Sequence, residues 1–379
     1  MEILENLRKE MKIIESESDH NGYFYNISDV LVLIISGMLC GIQKVDDIYD
    51  WVESKPTQKF ISEQFGINKI PCRAQMYNIL RCVDAEKFKL SFIRWMQSIL
   101  GNTVSGKTVA IDGKTICGTE KLTKDGSILN IVSAYVSELK MTIGSHACTS
   151  KPGERAAFRE ILELIDLNGA MVVADALHCT QETVKTIIEA KADYLLAVKD
   201  NVPSLKAGIK ELLREDSVPS HTTIEKNGGR LEKRTSYACN ETDGLKKGRS
   251  VWENLSCVGA INRVFEKNGK TTNEWHYYIS SKKLTPEQLL YHARMEWGVE
   301  SMHWLLDVHF AEDKIRVWDM NVQKILNITR KIALNLIRIF KSANHKDSLP
   351  LNSVMKHNLF DLERFAHFLD FFRFRGKLD

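Results

Sequence analysis

The stretch Gly101–Thr115, GNTVSGKTVAIDGKT, admits two readings that cannot both hold. Gly101-x-x-x-x-Gly106-Lys107-Thr108 has the spacing of a phosphate-binding loop, while KTVAID reads as a short strand ending in a carboxylate, Asp112. A phosphate loop leaves a strand and enters a helix, so that backbone N–H groups and the helix N-terminus face the phosphate. Here the order is reversed, because FIRWMQSIL before Gly101 is helical in pattern and TVAID after Gly106 is strand-like. The glycines are therefore expected to join two domains, and no nucleotide cofactor is expected.

Outward from that junction the texture differs on the two sides. Residues 1–104 read as an all-helical N-terminal domain, with Phe88, Phe92 and Trp95 at helical spacing and no strand signal. Its longest apolar run, VLVLIISGMLCGI (Val30–Ile42), is too short for a membrane span, which needs about 20 residues, and predicts a buried helix. On the other side come three β-rich runs, KTVAID, LNIVSAYV and MTIGSHAC, then a helix from Glu154 to about Asp166. The strand AMVVAD, a helix over about 180–191, the strand DYLLAVK and a helix after Pro203 complete the series. Hairpin-joined strands are antiparallel and helix-joined strands are usually parallel, so this order predicts an α/β fold with a mixed sheet flanked by helices.

Between about 215 and 283 the rhythm breaks into β-rich runs around Gly228-Gly229 and Asn268-Gly269, read as a β-rich insertion. Helices resume at Pro286 and continue through NVQKILNITRKIALNLIRIFK. The division expected is therefore 1–104, then 105–345 as a catalytic domain, then 346–379 as a helical tail.

Composition excludes several classes. At 379 residues with 44% hydrophobic and 27% charged side chains the chain is an ordinary globular protein, neither disordered nor fibrous. A net charge of +3 does not demand a polyanionic partner, so any nucleic-acid reading rests on where the cations sit. The eight cysteines form no C-x-x-C pair and no signal peptide precedes them, which predicts reduced thiols in the cytoplasm.

Asp112 ends the first predicted strand and Asp175 the fourth, each followed by a small residue. If those strands are neighbours, both carboxylates stand at one sheet edge and can share divalent cations such as Mg²⁺, which take oxygen ligands. A capping or turn role suits either acid taken alone. A third acid is available from the segment RMEWGVESMHWLLDVHFAED, where Glu300 shares a helical face with His303, Trp304 and Asp307, although Glu296 and Glu312 are alternatives by periodicity. That face is expected at a buried edge, the alternative being a surface helix on which Glu300 and Asp307 are simply solvated. His178 and His303 read as structural histidines. Cations that could meet phosphates are Lys114, Lys199, Arg230, Lys233, Arg234, Lys314 and Arg316, the last two opening a basic run that reaches Lys341.

The blocks AIDGKTICGT, VVADALHCTQETVKTIIEAKADYLLAVKDNVPSL, NGGRLEKR, EWGVESMHWLLDVHFAEDKIR and RKIALNLIR, in that order, resemble the DDE transposases of bacterial insertion sequences, of the H-repeat-associated type. The resemblance runs over essentially the whole chain. It implies an RNase H-like core with Asp112, Asp175 and Glu300 as catalytic acids on two Mg²⁺ ions, which Mn²⁺ can replace. It also implies DNA as partner, both terminal inverted repeats and target, a homodimer in the active complex, and a place at the bacterial nucleoid. Three details depart from the family: Val299-Glu300-Ser301 replaces Ile-Glu-Asn, TSKPGER stands where a KSNEI-like block is common, and Tyr291 and Arg294 lie too far ahead of Glu300 for a Tyr-x-x-Arg-x-x-x-Glu signature. A nuclease that cuts without joining, or a DNA-binding derivative on the same core, are the competing readings.

Overall fold

The computed structural model describes residues 3–16, 25–119, 128–148, 153–214, 218–227, 230–245, 252–267, 270–314 and 316–373. The glycine pairs at 228–229 and at Asn268-Gly269 lie outside these.

The N-terminal region is helical, as expected: α1 (Ile3–Ser16), α2 (Ile27–Leu39), α3 (Val45–Glu53), α4 (Lys55–Phe65), α5 (Arg73–Cys82) and α6 (Ala85–Leu100). The apolar run forms the buried α2, and Gly37 lets α3 lie close on it, since a Cβ there would stand 2.6 Å from Ile48. Asp84 starts α6 by accepting the Glu86 and Lys87 N–H groups. Trp95 is fully buried and its indole N–H donates to the Ile3 carbonyl at 3.0 Å. After α6, Gly101–Val104 makes a 3₁₀ turn and Thr108 opens a strand, so no phosphate-loop geometry forms.

That strand is β1 (Thr108–Thr115), followed by β2 (Asn130–Val136), β3 (Met141–Cys148), α7 (Gly153–Leu164), β4 (Met171–Ala174), α8 (Gln181–Glu189), β5 (Asp193–Val198) and α9 (Pro203–Leu212). Pairing runs β3-β2-β1 antiparallel and β1-β4-β5 parallel. This is the RNase H-like mixed sheet. β1 does not stop at Asp112: β2 pairs with it as far as Thr115, whereas β4 ends at Ala174.

The insertion supplies β6 (Ser220–Asn227), β7 (Arg230–Cys239), β8 (Cys257–Lys267) and β9 (Lys270–Ser280). They form no separate unit. β9 pairs antiparallel with β5, so one nine-stranded sheet runs β3-β2-β1-β4-β5-β9-β8-β7-β6. Only Tyr277–Ser280 of β9 pair with β5, and the rest of the β8–β9 ladder continues to Lys270 past the end of β5, making an arm that overhangs the edge where Asp112 and Asp175 stand.

The chain then forms α10 (Pro286–Met295), α11 (Trp297–Phe310), α12 (Met320–Ala343), α13 (Leu351–Phe360) and α14 (Leu362–Arg373). α10 opens with a Thr285–Gln288 capping box. The periodicity from Pro286 predicts a single helix, but it divides at Glu296: the Ser137 hydroxyl donates to the Met295 carbonyl at 2.7 Å, and Gly298 lies against Tyr135 and Ser137. The left-handed Ala311 ends α11. α7 lies on one face of the sheet, where Gly144 leaves room for Ile161 and Ile165. α12 lies on the other, where Ser145 donates to Asn327 at 3.0 Å.

α12 withdraws part of the basic run from both solvent and phosphates, because Arg330 and Lys331 are buried. The Lys331 ammonium donates to Ser133 Oγ (2.9 Å), Ser145 Oγ (2.6 Å) and Asn327 Oδ1 (2.9 Å), and burial pushes its pKa down to about 7. The C-terminal helices close on the N-terminal ones: Asn358 donates to the Leu39 carbonyl at 3.0 Å, and Arg373 to that of Gln64 at 2.6 Å.

Candidate active site

Parallel pairing of β1 with β4 matches Thr108 with Met171 and Ala110 with Val173. Two residues further, the same register sets Asp112 level with Asp175. Asp112 sits opposite Ser133 of β2, whose hydroxyl meets Lys331 of α12, so it faces the α11–α12 side. There His303 Nδ1 of α11 lies 3.6 Å from Asp112 Oδ2. The next residue, Gly113, faces α7, where a Cβ would overlap the Glu154 carboxylate.

Asp112, Asp175, Glu296 and Glu300 line one cleft of about 270 Å³. Burial raises Asp112 first and foremost, the Gly113 N–H opposes, and the charges of Glu300, Glu154 and Asp175 add to the rise, bringing its pKa to about 7. Glu296 is likewise pushed up to about 7 by burial and then by Asp175, Asp112 and Glu300. Asp175 differs. Burial also raises it, but the Lys199 ammonium at 2.9 Å and the Ala176 N–H outweigh that and hold it below the ordinary carboxylate range. His303 is driven down to about 3, by burial and then by the Lys331 charge, so a neutral imidazole faces Asp112.

The opposite wall comes from the overhanging arm: Arg234, Arg263 and His276 line the cleft with Trp297. Arg263 donates to the fully buried Glu232 at 2.7 Å, and Arg234 to Glu232 and, at 3.2 Å, to Glu225. Both guanidiniums lie near the Trp297 ring, 5.2 Å for Arg234 and 5.7 Å for Arg263.

The sequence-predicted residues fall unevenly about this cleft. Asp112, Asp175, Glu300, Lys199 and Arg234 line it. Glu300 is exposed rather than at a buried edge, and Trp304 beside it is 59% exposed, because the packed side of α11 is formed by Val299, Met302, His303, Leu306 and Phe310. Arg234 is only 2% exposed and held by its two glutamates. Lys114 does not reach the cleft. Its ammonium is ion-paired with Asp307, with Glu312 at 3.0 Å and with Asp313 at 3.6 Å. Glu312, an alternative third acid by periodicity, is thereby taken, and Asn327 also donates to it at 2.7 Å. Lys233, Lys314 and Arg316 are exposed and outside the cleft lining, and the side chain of Arg230 lies outside the described residues. His178 is a core residue stacked on Phe158 at 4.0 Å.

Sequence reasoning did not find Arg263 or His276. Their signal is the two-residue alternation of β8 and β9, which puts Ile261 opposite His276 and Arg263 opposite Glu274. Glu296 was visible only as an acid one helical turn before Glu300.

Chemically, the donor set consists of carboxylate oxygens, suited to hard divalent cations. Among the described residues no three Asp, Glu, His or Cys side chains are gathered closely enough to ligate one ion as they stand. The rise of Asp112 and Glu296 comes first from burial and then from neighbouring negative charge, and a cation would relieve both, so the residues fit such a group in chemistry and charge.

Residues 105–336 match the family described as Transposase DDE domain, and residues 10–96 the companion family described as DDE_Tnp_1-associated. The chain belongs to the DDE transposase family. Among relatives, a putative transposase YncI of Escherichia coli O157:H7 is 31% identical over 83% of this chain and 82% of its own length. An H repeat-associated putative transposase YhhI of Escherichia coli K12 is 29% identical over 84% of this chain and 87% of its own. The piggyBac transposase synaptic complex with hairpin DNA aligns with a TM-score of 0.46 and 13% identity, over 100% of this chain and 80% of that one. At that score the likeness carries no argument. No helix of the described residues is long and apolar enough to cross a membrane.

Proposed function

We propose that this DDE transposase cuts DNA strands at the ends of an insertion sequence and joins the freed 3′-hydroxyl to target DNA, with Asp112, Asp175 and Glu300 as the acids that hold two Mg²⁺ ions, replaceable by Mn²⁺. Supporting this reading above all is that acids from three distant chain segments line one cleft, where burial first, and then the charges of its acidic neighbours, lift Asp112 to about 7. Bound there, the cations would supply Lewis acidity at the scissile phosphate. The chain's own residues do the rest. Lys199 helps keep Asp175 ionised, and the low pKa of His303 sets a neutral imidazole, not a second cation, against Asp112. Arg263 and His276 set positive and hydrogen-bonding groups opposite the acids, where a DNA backbone would pass.

Lys199, in the cleft lining, and Lys233, Lys314 and Arg316, outside it, are the exposed cations offered to phosphates, with Arg230 beside Lys233 in sequence. Lys114 is left out, its charge being consumed by three carboxylates. In this reading residues 1–104 bind element ends or assist assembly, 105–345 carry the chemistry, 346–379 form a helical tail, and two copies act together at the terminal inverted repeats in the bacterial cytoplasm.

The test is cleavage of a plasmid carrying the element ends, in Mg²⁺, by the unaltered chain and by Asp112→Asn, Asp175→Asn and Glu300→Gln. Each substitution is expected to lower the rate by about 10³-fold or more while DNA affinity stays within a few-fold. Full cleavage by any of the three removes that residue from the assignment. Covalent donor–target products separate a transposase from a nuclease, which leaves only cut ends.

A further inference from the structure

Asp112 and Asp175 are set side by side by the pairing of β1 with β4, but Glu300 stands exposed on a helix that belongs to no strand pair. Whatever fixes α11 against β1 therefore fixes the third acid against the first two. α11 packs on β1, and one helical turn past Glu300 the ring of His303 is buried between them, 8% exposed. Its Nδ1 lies 3.6 Å from Asp112 Oδ2.

The ring finds little else there. Among the described residues its buried Nε2 has no hydrogen-bond partner. The Lys331 ammonium, whose charge the ring feels, already has its three protons on Ser133, Ser145 and Asn327. A buried acceptor left unbonded costs stability, so packing alone would favour a leucine at this position.

We propose that His303 is a positioning residue for the cation-binding acids: its Nδ1–H holds Asp112 Oδ2, which stops that carboxylate from turning and registers α11, with Glu300, against β1. A neutral imidazole has one N–H and a carboxylate only accepts, so the proton belongs on Nδ1 and the bare Nε2 is its counterpart. The present separation is just beyond hydrogen-bond range, and a side-chain shift of about half an ångström closes it. Partners of this kind, bonded to a ligating carboxylate, raise cation affinity without touching the ion. The role rests on the cation site proposed above.

Mn²⁺ binding to the full chain without DNA, read from the electron paramagnetic resonance of the free ion, is the test. His303→Leu is expected to weaken binding by about 10-fold or more, with a Tm in chelator equal to or above that of the unaltered chain. His303→Asn keeps an N–H near the place of Nδ1 and is expected to restore most of the affinity. Cleavage by His303→Leu should be slow at low Mg²⁺ and recover as Mg²⁺ is raised. Undiminished Mn²⁺ binding by His303→Leu overturns the proposal. So does weak binding that comes with a lower Tm or that His303→Asn fails to restore, the mark of a ring needed only for packing. Binding lost in Asp112→Asn but kept in His303→Leu removes only this role, whereas an unaltered chain that takes up no Mn²⁺ removes the cation site and this role with it.

Discussion

Replacing Lys114 by Met separates a structural lysine from a DNA-binding one. Its ammonium is the shared partner of Asp307, Glu312 and Asp313, and Glu312 is only 3% exposed. Burial works against ionising Glu312, but Lys114, Lys331 and Arg330 outweigh it and hold its pKa below the ordinary value of 4.5. Removing one member of such a buried pair leaves an uncompensated charge, at a cost of about 3–5 kcal/mol. With an unfolding entropy of about 2.1 cal/mol/K per residue over 379 residues, a loss near 4 kcal/mol lowers Tm by about 5 °C. Adding Glu312→Gln should return part of that, because the stranded charge is gone. The sign in pH follows from the same pair. A carboxylate with a depressed folded pKa contributes stability that is present above about 4.5 and lost as pH falls through the folded value, so the unaltered chain loses this contribution on acidification and Lys114→Met has less of it to lose. Thermal unfolding by circular dichroism at pH 7 and pH 4, with DNA affinity measured against salt, decides the matter. An unchanged Tm accompanied by a salt slope reduced by about 1 would refute the reasoning, since that is the signature of a lost phosphate contact.

Other consequences can be checked in the same preparations. Asp112→Asn removes a crowded buried charge, so without divalent cations at pH 8 it should raise stability by about 1–2 kcal/mol while abolishing the rise in Tm that Mg²⁺ gives the unaltered chain. An acid whose folded pKa is raised to about 7 destabilises the fold as pH rises from about 4 to 7, so the Tm gain from Mg²⁺ should be larger at pH 8 than at pH 6; equal gains would remove Asp112 from the cation site. Gly259→Val should cost about 1–3 kcal/mol by chemical denaturation, because a Cβ there meets the Tyr237 carbonyl at 2.7 Å and overlaps Leu289. Lys199→Met should slow cleavage more at pH 6 than at pH 8, because Asp175 then loses the ammonium that keeps it ionised; a uniform loss at both values would assign Lys199 to DNA alone.

What the sequence disclosed was local. Apolar runs marked KTVAID and AMVVAD as strands, their adjacency stood only as a condition, and the pairing meets it with a register offset of β1 on β4 equal to the spacing of Asp112 from Asp175. A mixed sheet flanked by helices and the helical N-terminal region were legible in the same way, and the family resemblance supplied the RNase H-like core. Three features were not, each because a distant segment decides it. β9 joins β5 through four residue pairs that no local pattern announces. Lys114 looks like a strand-end cation until α11 and the turn after it bring three acids to it. Lys331 reads as surface charge in a basic run, yet two serines of neighbouring strands and an asparagine one turn back give its ammonium an interior home. The break at Glu296 carries no proline, and the distant β2 edge accounts for it, through the Ser137 hydroxyl on the Met295 carbonyl and the close approach of Gly298 to Tyr135.

The bond from Asn358 to the Leu39 carbonyl ties together parts of the chain that a ribosome makes far apart in time. At roughly 5–20 residues per second, α2 leaves the exit tunnel some 15–60 seconds before α13 exists to cap it. Through that interval the part of its oily side that α13 later covers stays open to water, so nascent chains should lean on chaperones, and a message broken upstream of the last two helices should yield a product destined for proteolysis instead of a shortened working enzyme.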